Sequence, residues 1–277
     1  MGQQIMNRLL EVKGLIKIYG HRAVVNGVEY EVYPGEIVGL LGPNGAGKTT
    51  SFRMTVGMIT PNAGKVFLDG DDITNFPMYQ RARRGMGYLA QETSIFQRLS
   101  VKDNILAILE TMRMRRAQRK ERADQLLREL GLTRLADNKA YTLSGGEKRR
   151  LEIARSLVTF PSILLLDEPF TGIDPIAVFD IQKIILGLKE RGIGILLTDQ
   201  SVRETLSITD RSYIINDGLI LTSGTSAQLV EDAKARKFYL GERFKAEDFL
   251  QGRRPEARVY PEGFTLKPCL PAGRGSP

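Results

Sequence analysis

The sequence predicts an α/β fold in which buried strands alternate with helices. Three stretches carry that expectation. Ile37 to Gly42 (IVGLLG) is a short apolar run without polar alternation, as in a parallel strand covered on both faces. Ser162 to Phe170 (SILLLDEPF) and Gly192 to Asp199 (GIGILLTD) are two more such runs, the first leading into two carboxylates and the second into one. The segments between them carry helix start and stop signals.

The first run leads into Gly42 to Thr50 (GPNGAGKTT), which fits the template G-x-x-x-x-G-K-[ST]. Strand, glycine-rich loop and helix follow in the order that template requires. Backbone N–H groups must wrap a triphosphate tail, and side chains on the loop would block that approach. Gly42, Gly45 and Gly47 remove them and permit positive φ; Pro43, Asn44, Ala46 and Thr50 fill out the loop. The helix starting near Gly47 points its unpaired N–H groups and positive dipole end at the phosphates. Lys48 sets a cation on the β/γ oxygens, and the Thr49 hydroxyl can hold Mg²⁺.

Composition narrows the classes. A chain of 277 residues fits one large or two modest domains. Forty basic against 32 acidic residues give a formal net charge of +8, which suits an anionic nucleotide or a membrane surface as well as nucleic acid. The single cysteine, Cys269, excludes an internal disulfide and fits a reducing cytoplasm. The N-terminus has no long apolar region of the signal-peptide kind and lacks the Ser or Thr of a myristoylation site. No apolar run is long enough to cross a bilayer.

In chain order, Leu9 to Gly20 and Val28 to Val32 read as strands, joined to the Ile37 run by a Pro34-Gly35 turn. Tyr19, at the end of the first, reads either as a half-buried edge aromatic or as a platform for a base. The helix after Lys48 is expected to reach about Met58, followed by a loop over Pro61–Gly64 and a strand over Gly64–Gly70. Pro77 to Arg84 reads as helix, and Gly85 to Gln91 as a strand whose terminal amide can reach a metal or its water.

From Glu92 to Thr159 the pattern is helical. Ser100 is a good N-cap for Val101–Met114, with Asp103 at the third helical position. A second helix spans Ala117–Leu130 and stops at Gly131. The six basic residues between Arg113 and Arg122 read as a solvated face, with anionic lipid headgroups as the alternative. No aromatic residue lies among them to stack on bases, so nucleic acid is not expected. Ser144 then caps a helix behind Gly145 and Gly146, a second helix end with a hydroxyl and bare N–H groups suited to an anion. Both anion sites serve one nucleotide within the chain, or each completes the site of a partner chain.

Asp167 stands where a buried strand exits, suited to the outer shell of Mg²⁺, with Glu168 turned to the other side of the pleat. Adjacent acids divide labour readily: one holds metal, the other polarises water. Asp174 before Pro175 fits the start of a helix through Glu190. Gln200 stands just past the Gly192–Asp199 strand. Arg211–Asn216 and Leu219–Ser223 form a hairpin about Asp217-Gly218, and short helices close the domain by about Leu240. Beyond Phe244 five of the 12 prolines fall between Pro255 and Pro277, as in a flexible tail.

GPNGAGKTT, Gln91, LSGGEKRR, ILLLDEP and the Asp174 turn together resemble the ATP-binding cassette family over roughly residues 8 to 243. The resemblance implies a P-loop NTPase fold of ABC type: a mixed sheet core, an antiparallel β subdomain, and a helical subdomain inserted at about 92–159. It implies residues 1–243 as the ATP-binding domain and 244–277 as the tail. It implies a head-to-tail homodimer with two ATP molecules, each between one chain's phosphate loop and the other chain's LSGG end. By position, Tyr19 then stacks adenine, and Gly42 to Thr50 hold the phosphates. Thr49, Gln91 and Asp167 manage Mg²⁺. Ser144, Gly145 and Gly146 contact the opposite γ-phosphate, Asp174 lies in the site's turn, and Glu168 orients or deprotonates the attacking water. Gln200 stands where the family usually has a histidine; the chain's one histidine, His21, is elsewhere.

Within the family, GYLAQETSIFQRLSVKDNI, EPFTGIDPIAV, TDQSVRETL and FYLGERF are most similar in wording to ATPase subunits of lipopolysaccharide exporters. That implies a cytoplasmic protein, peripheral on the inner membrane and docked on two transmembrane permease subunits, with Phe96 and Arg98 in the docking groove. Phe96 reads otherwise as a core residue. The competing functions are a branched-chain amino-acid importer ATPase, a non-transport cassette ATPase, and a regulatory subunit without turnover.

Overall fold

The computed structural model describes residues 8–240; the expected tail beyond Phe244, with Cys269, lies outside the described residues. β1 (Leu10–Tyr19) and β2 (Arg22–Val32) pair antiparallel, and β3 (Ile37–Leu41) leads into α1 (Lys48–Val56). β4 (Ala63–Leu68) and β5 (Asp71–Asp72) return to the first sheet, in the order β2-β1-β4-β5. After α2 (Met78–Arg83) and β6 (Met86–Leu89) come the helices α3 (Val101–Leu109), α4 (Arg116–Glu129) and α5 (Gly145–Ser156). β7 (Ile163–Asp167), α6 (Pro175–Glu190), β8 (Gly194–Thr198), α7 (Val202–Leu206), β9 (Arg211–Asn216) and β10 (Leu219–Gly224) complete a six-stranded sheet of order β10-β9-β3-β8-β7-β6. That sheet is parallel except for the antiparallel β9–β10 hairpin. α8 (Ser226–Glu231), α9 (Ala233–Ala235) and a π-helical turn (Arg236–Leu240) end the described chain.

The apolar runs alternate between two cores, as the two-residue period of a strand requires. Leu164 and Leu166 of β7, with Ile195 and Leu197 of β8, face the helices α3–α6. Ile163, Leu165 and Leu196 face α1 and the antiparallel sheet. Buried on both faces, β3, β7 and β8 need no polar alternation.

Of the element boundaries that differ from the sequence expectation, three have plain physical causes. β2 begins at Arg22, not Val28, because pairing from Leu10↔Val32 to Tyr19↔Arg22 runs through polar residues that an apolar pattern does not mark. The strand expected from Gly64 begins at Ala63, taken from the expected loop because Ala63 pairs with Ile16. The helix expected to reach Met114 stops at Leu109, and the Thr111 hydroxyl takes the Ile108 carbonyl at 2.8 Å, competing with helix continuation. Among the described residues no helix is long and apolar enough to cross a membrane.

The far end of α1 is fixed by a residue the sequence did not single out. Arg81, 1% exposed, donates to the carbonyls of Met54, Thr55, Thr74 and Phe76 at 2.6–3.0 Å. A cation on the last carbonyls of a helix also complements its dipole. Burial lowers the Arg81 pKa to about 10.

Candidate functional site

Parallel strands deliver their C-terminal ends to one edge, and in open α/β sheets that edge is where ligands bind. Here it receives Gly42 after β3, Gln200 after β8, Glu168 after β7 and Gln91 after β6. A cleft of about 140 Å³ opens there, lined by Val24, Asn44, Gly45, Gly47, Lys48, Thr49, Thr50 and Glu168. Two larger grooves, of about 580 and 450 Å³, lie on the antiparallel sheet and between α4 and α6; neither contains the phosphate loop.

Two glycines of the loop are irreplaceable for steric reasons. A Cβ on Gly42 would fall 2.1 Å from the Ile215 carbonyl oxygen; one on Gly47, which has φ 104°, would fall 2.7 Å from that of Val24. Gly47 is the N-cap of α1 and offers no capping side chain, and the first turn has no acid. The N–H groups of that end are therefore aimed into the cleft without a side-chain competitor. Lys48 folds back, its ammonium donating to the carbonyls of Gly42 at 2.6 Å and Pro43 at 2.9 Å. Burial pulls its pKa down, and the charges of Glu168 and Asp167 oppose that.

The carboxylates differ in surroundings. Asp167 is buried; its Oδ2 accepts from the Tyr88 hydroxyl at 3.5 Å, and its Oδ1 is buried without a hydrogen-bond partner. Burial first, and then the Glu168 charge, push the Asp167 pKa up to about 6. A buried carboxylate oxygen without a donor suits a hard cation. Among the described residues no three His, Cys, Asp or Glu side chains cluster as a metal cage. A cation here would thus share its shell with a hydroxyl and with phosphate oxygens, as Mg²⁺ commonly does.

Glu168 does not turn to the far side of the pleat as the strand pattern implied. β7 ends at Asp167, and Glu168 takes φ 48°. A left-handed non-glycine residue costs on the order of 1–3 kcal/mol and persists where its neighbours over-determine it. The Glu168 N–H donates to the Thr198 carbonyl at 2.7 Å, and its own carbonyl accepts from Arg149 at 2.7 Å. The turn puts its carboxylate in the phosphate-loop cleft, where Gln91 donates to Oε2 at 2.9 Å and Gln200 to Oε1 at 3.1 Å. Gln91 and Gln200, far apart in sequence, therefore converge on one acid.

Arg149 was not anticipated. From α5 it donates to the carbonyls of Ala90, Asp167, Glu168 and Pro169 and to the Glu152 carboxylate, all at 2.7–3.2 Å. It ties α5 to the ends of β6 and β7. The only sequence signal is its i,i+3 spacing from Glu152.

The other predicted residues lie apart from the cleft lining. Tyr19 ends β1, about half exposed, with the Lys17 ammonium 5.3 Å from its ring centre. Ser144 to Gly146 start α5, and Gly146 presses on α6, where a Cβ would be 2.5 Å from that of Ala177. The α5 end is not bare as expected: Ser144 Oγ accepts from the Glu147 N–H, and the Glu147 carboxylate accepts from the Ser144 N–H at 2.8 Å. Asp174 caps α6, accepting from the Ala177 N–H at 3.0 Å. Phe96 is exposed rather than core, with the Arg155 guanidinium 4.6 Å from its ring centre; Arg98 is exposed beside it.

The family model for ABC transporters matches residues 25–171. The lipopolysaccharide export system ATP-binding protein LptB of Acidithiobacillus ferridurans is 53% identical over 240 residues, covering 87% of this chain and all of that protein. LptB of Escherichia coli K12 is 49% identical over 237 residues, covering 85% of this chain and 98% of that one. A nucleotide-free ATP-binding cassette from an ABC transporter superimposes with TM-score 0.76 at 28% identity, covering 85% of this chain and 100% of that chain. An ADP conformation of another such cassette gives TM-score 0.75 at 27% identity over 85% and 99%. With the phosphate loop, the paired acids and the converging glutamines at one sheet edge, these likenesses make the chain a member of the ABC transporter family and an ATPase.

Proposed function

We propose that this chain is the motor of a lipopolysaccharide exporter: two copies sandwich two ATP molecules and drive two membrane-spanning subunits from the cytoplasmic face. The observation that carries the hydrolytic part is the left-handed turn that puts Glu168 in the phosphate-loop cleft between two amide donors. Relatives bearing the lipopolysaccharide-export name, aligned over nearly their whole length, support the choice of cargo.

In this reading, ATP displaces the Lys48 ammonium from the Gly42 and Pro43 carbonyls onto its β/γ oxygens, and the loop N–H groups wrap the phosphates. Tyr19 stacks the adenine. Thr49, Gln91 and Asp167 would hold Mg²⁺, whose charge neutralises the β/γ oxygens when bound. Glu168 accepts the proton of the attacking water, oriented by Gln200 through a neutral N–H. Gln200 can hold that geometry but cannot carry the positive charge of a histidine. Ser144 to Gly146 of the second copy, with the Asp174 turn, close the site. Phe96 and Arg98 face the membrane subunits. Residues 8–240 form the motor domain within the proposed 1–243.

The test is purification from membranes with associated subunits, followed by mass spectrometry and ATPase assay. Two copies with two membrane subunits, bound lipopolysaccharide, and turnover sensitive to it are expected. Recovery with the subunits of an amino-acid importer would overturn the choice of cargo.

A further inference from the structure

The proposed reaction leaves Asp199 unused, yet it is fully buried at the centre of the site's scaffold. It follows β8 directly. Its Oδ2 accepts from the Phe170 N–H at 2.8 Å, two residues beyond Glu168. Its Oδ1 accepts from the Ser201 N–H at 2.8 Å, one residue beyond Gln200. One carboxylate thus bridges the turn that bears the base and the turn that bears the amide orienting it. The Glu168 N–H adds a third tie, to the Thr198 carbonyl at 2.7 Å.

We propose that Asp199 is a positioning residue for ATP hydrolysis: it locks the Glu168 and Gln200 turns together, so that base and orienting amide enter the reaction as one unit. This rests on Glu168 being the base. A carboxylate is required because both oxygens must accept. An asparagine of the same shape offers one acceptor and sets its NH₂ against the second N–H. Burial and the nearby Glu168 charge raise the Asp199 pKa, and the two N–H donors oppose that rise. A carboxylate kept in so unfavourable a place calls for a geometric reason. The strain at Glu168 supplies one, since its φ of 48° needs external ties to persist.

The experiment compares Asp199→Asn, Gln200→Ala, the double variant and Glu168→Gln in steady-state ATPase, with nucleotide affinity read by a fluorescent ATP analogue. Misplacing a base by a fraction of its reach lowers turnover, so Asp199→Asn should reduce kcat about 10- to 100-fold with KM and affinity within about threefold. In the Gln200→Ala background the same change should cost no more than about threefold, because the two act through one contact. Should Asp199→Asn fail to fold, Ser201→Pro deletes one arm of the bridge at a residue whose φ of −78° a proline accepts, and should lower kcat in the same manner. Fully additive effects, or a parallel loss of affinity and turnover, would make Asp199 merely structural and overturn the proposal. Full activity of Glu168→Gln would instead remove the base assignment beneath it. An inactive Glu168→Gln with kcat of Asp199→Asn within twofold of wild type would sink this proposal alone.

Discussion

Among the described residues two helix N-termini are glycine-rich, and they are finished in opposite ways. α1 begins at Gly47 without a capping side chain or an acid in its first turn. α5 begins at Ser144 in a reciprocal capping box, its Glu147 carboxylate taking both the Ser144 N–H and hydroxyl at 2.8 Å. At both starts four N–H groups need partners, but Gly47 and Lys48 of α1 are buried whereas Ser144 and Gly145 of α5 are exposed. The first leaves them to a ligand and forgoes the stability a cap provides. The second satisfies part of its need internally and carries a negative charge where an anion would have to arrive. A helix end can thus be a binding site by itself or only as half of one. α1 stands beside Glu168 and forms a cleft, whereas Ser144 to Gly146 do not line it.

The comparison is broken most severely at the carboxylate facing the open end. Glu168→Gln keeps the shape and loses the base, which should lower turnover about 10²–10⁴-fold while ATP still binds. Trapping of an ATP-bound dimer by light scattering, together with single-turnover rates, checks this. Lys48→Ala comes next. It removes a charge-assisted contact worth roughly 1.5–3 kcal/mol, weakening ATP about 10- to 150-fold. Unchanged affinity at low protein concentration would show that the open end is not where nucleotide binds.

Lys48 sits in the part of the molecule that sequence describes best. Ile37–Leu41 is apolar throughout because both its faces are covered, and Gly42, Gly47 and Lys48 follow at fixed spacing, so local pattern and tertiary role coincide. The rest of the site depends on long-range geometry. Arg149 and Arg81 look like surface charges in basic runs, yet each is buried on carbonyls of remote segments. The left-handed turn at Glu168 has no glycine to announce it, and the Pro169 that follows ordinarily disfavours helical backbone before it. Its cause lies in Thr198 and Arg149, 30 residues on and 19 back. The convergence of Gln91 and Gln200 on that carboxylate follows from strand order β8-β7-β6, which no local pattern encodes.

A smaller effect is expected at the closed end. Ser144→Ala deletes the N-cap acceptor, which should cost about 1 kcal/mol and lower the melting temperature by about 2–4 °C. ATP affinity of the monomer should not change, since Ser144 is not in the cleft. Turnover should fall if a second copy uses this end. Monomer affinity reduced as far as in Lys48→Ala would place both ends on one nucleotide within the chain, against the dimer reading.

The finest test is Glu147→Gln. A glutamine oxygen can still accept from the Ser144 N–H, so the capping box keeps its shape and only the charge is lost. That charge is present at working pH, because the bonds from Ser144 lower the Glu147 pKa below its ordinary value. Its share of stability is thus complete above the unfolded pKa and lost only as pH falls through the lower folded value. A negative charge in the first helical turn is worth about 0.3–1 kcal/mol to the helix, so its removal should destabilise the fold slightly. The same charge repels an incoming γ-phosphate, so its removal should strengthen ATP-driven dimerisation by about two- to fivefold at low salt, less at high salt. The two effects have opposite signs, and a general loss of structure cannot produce both. Melting temperature and dimer dissociation constant, measured together in a Glu168→Gln background at two salt concentrations, decide it. A dimer weakened along with the fold would mean that Glu147 supports the α5 end rather than guarding it.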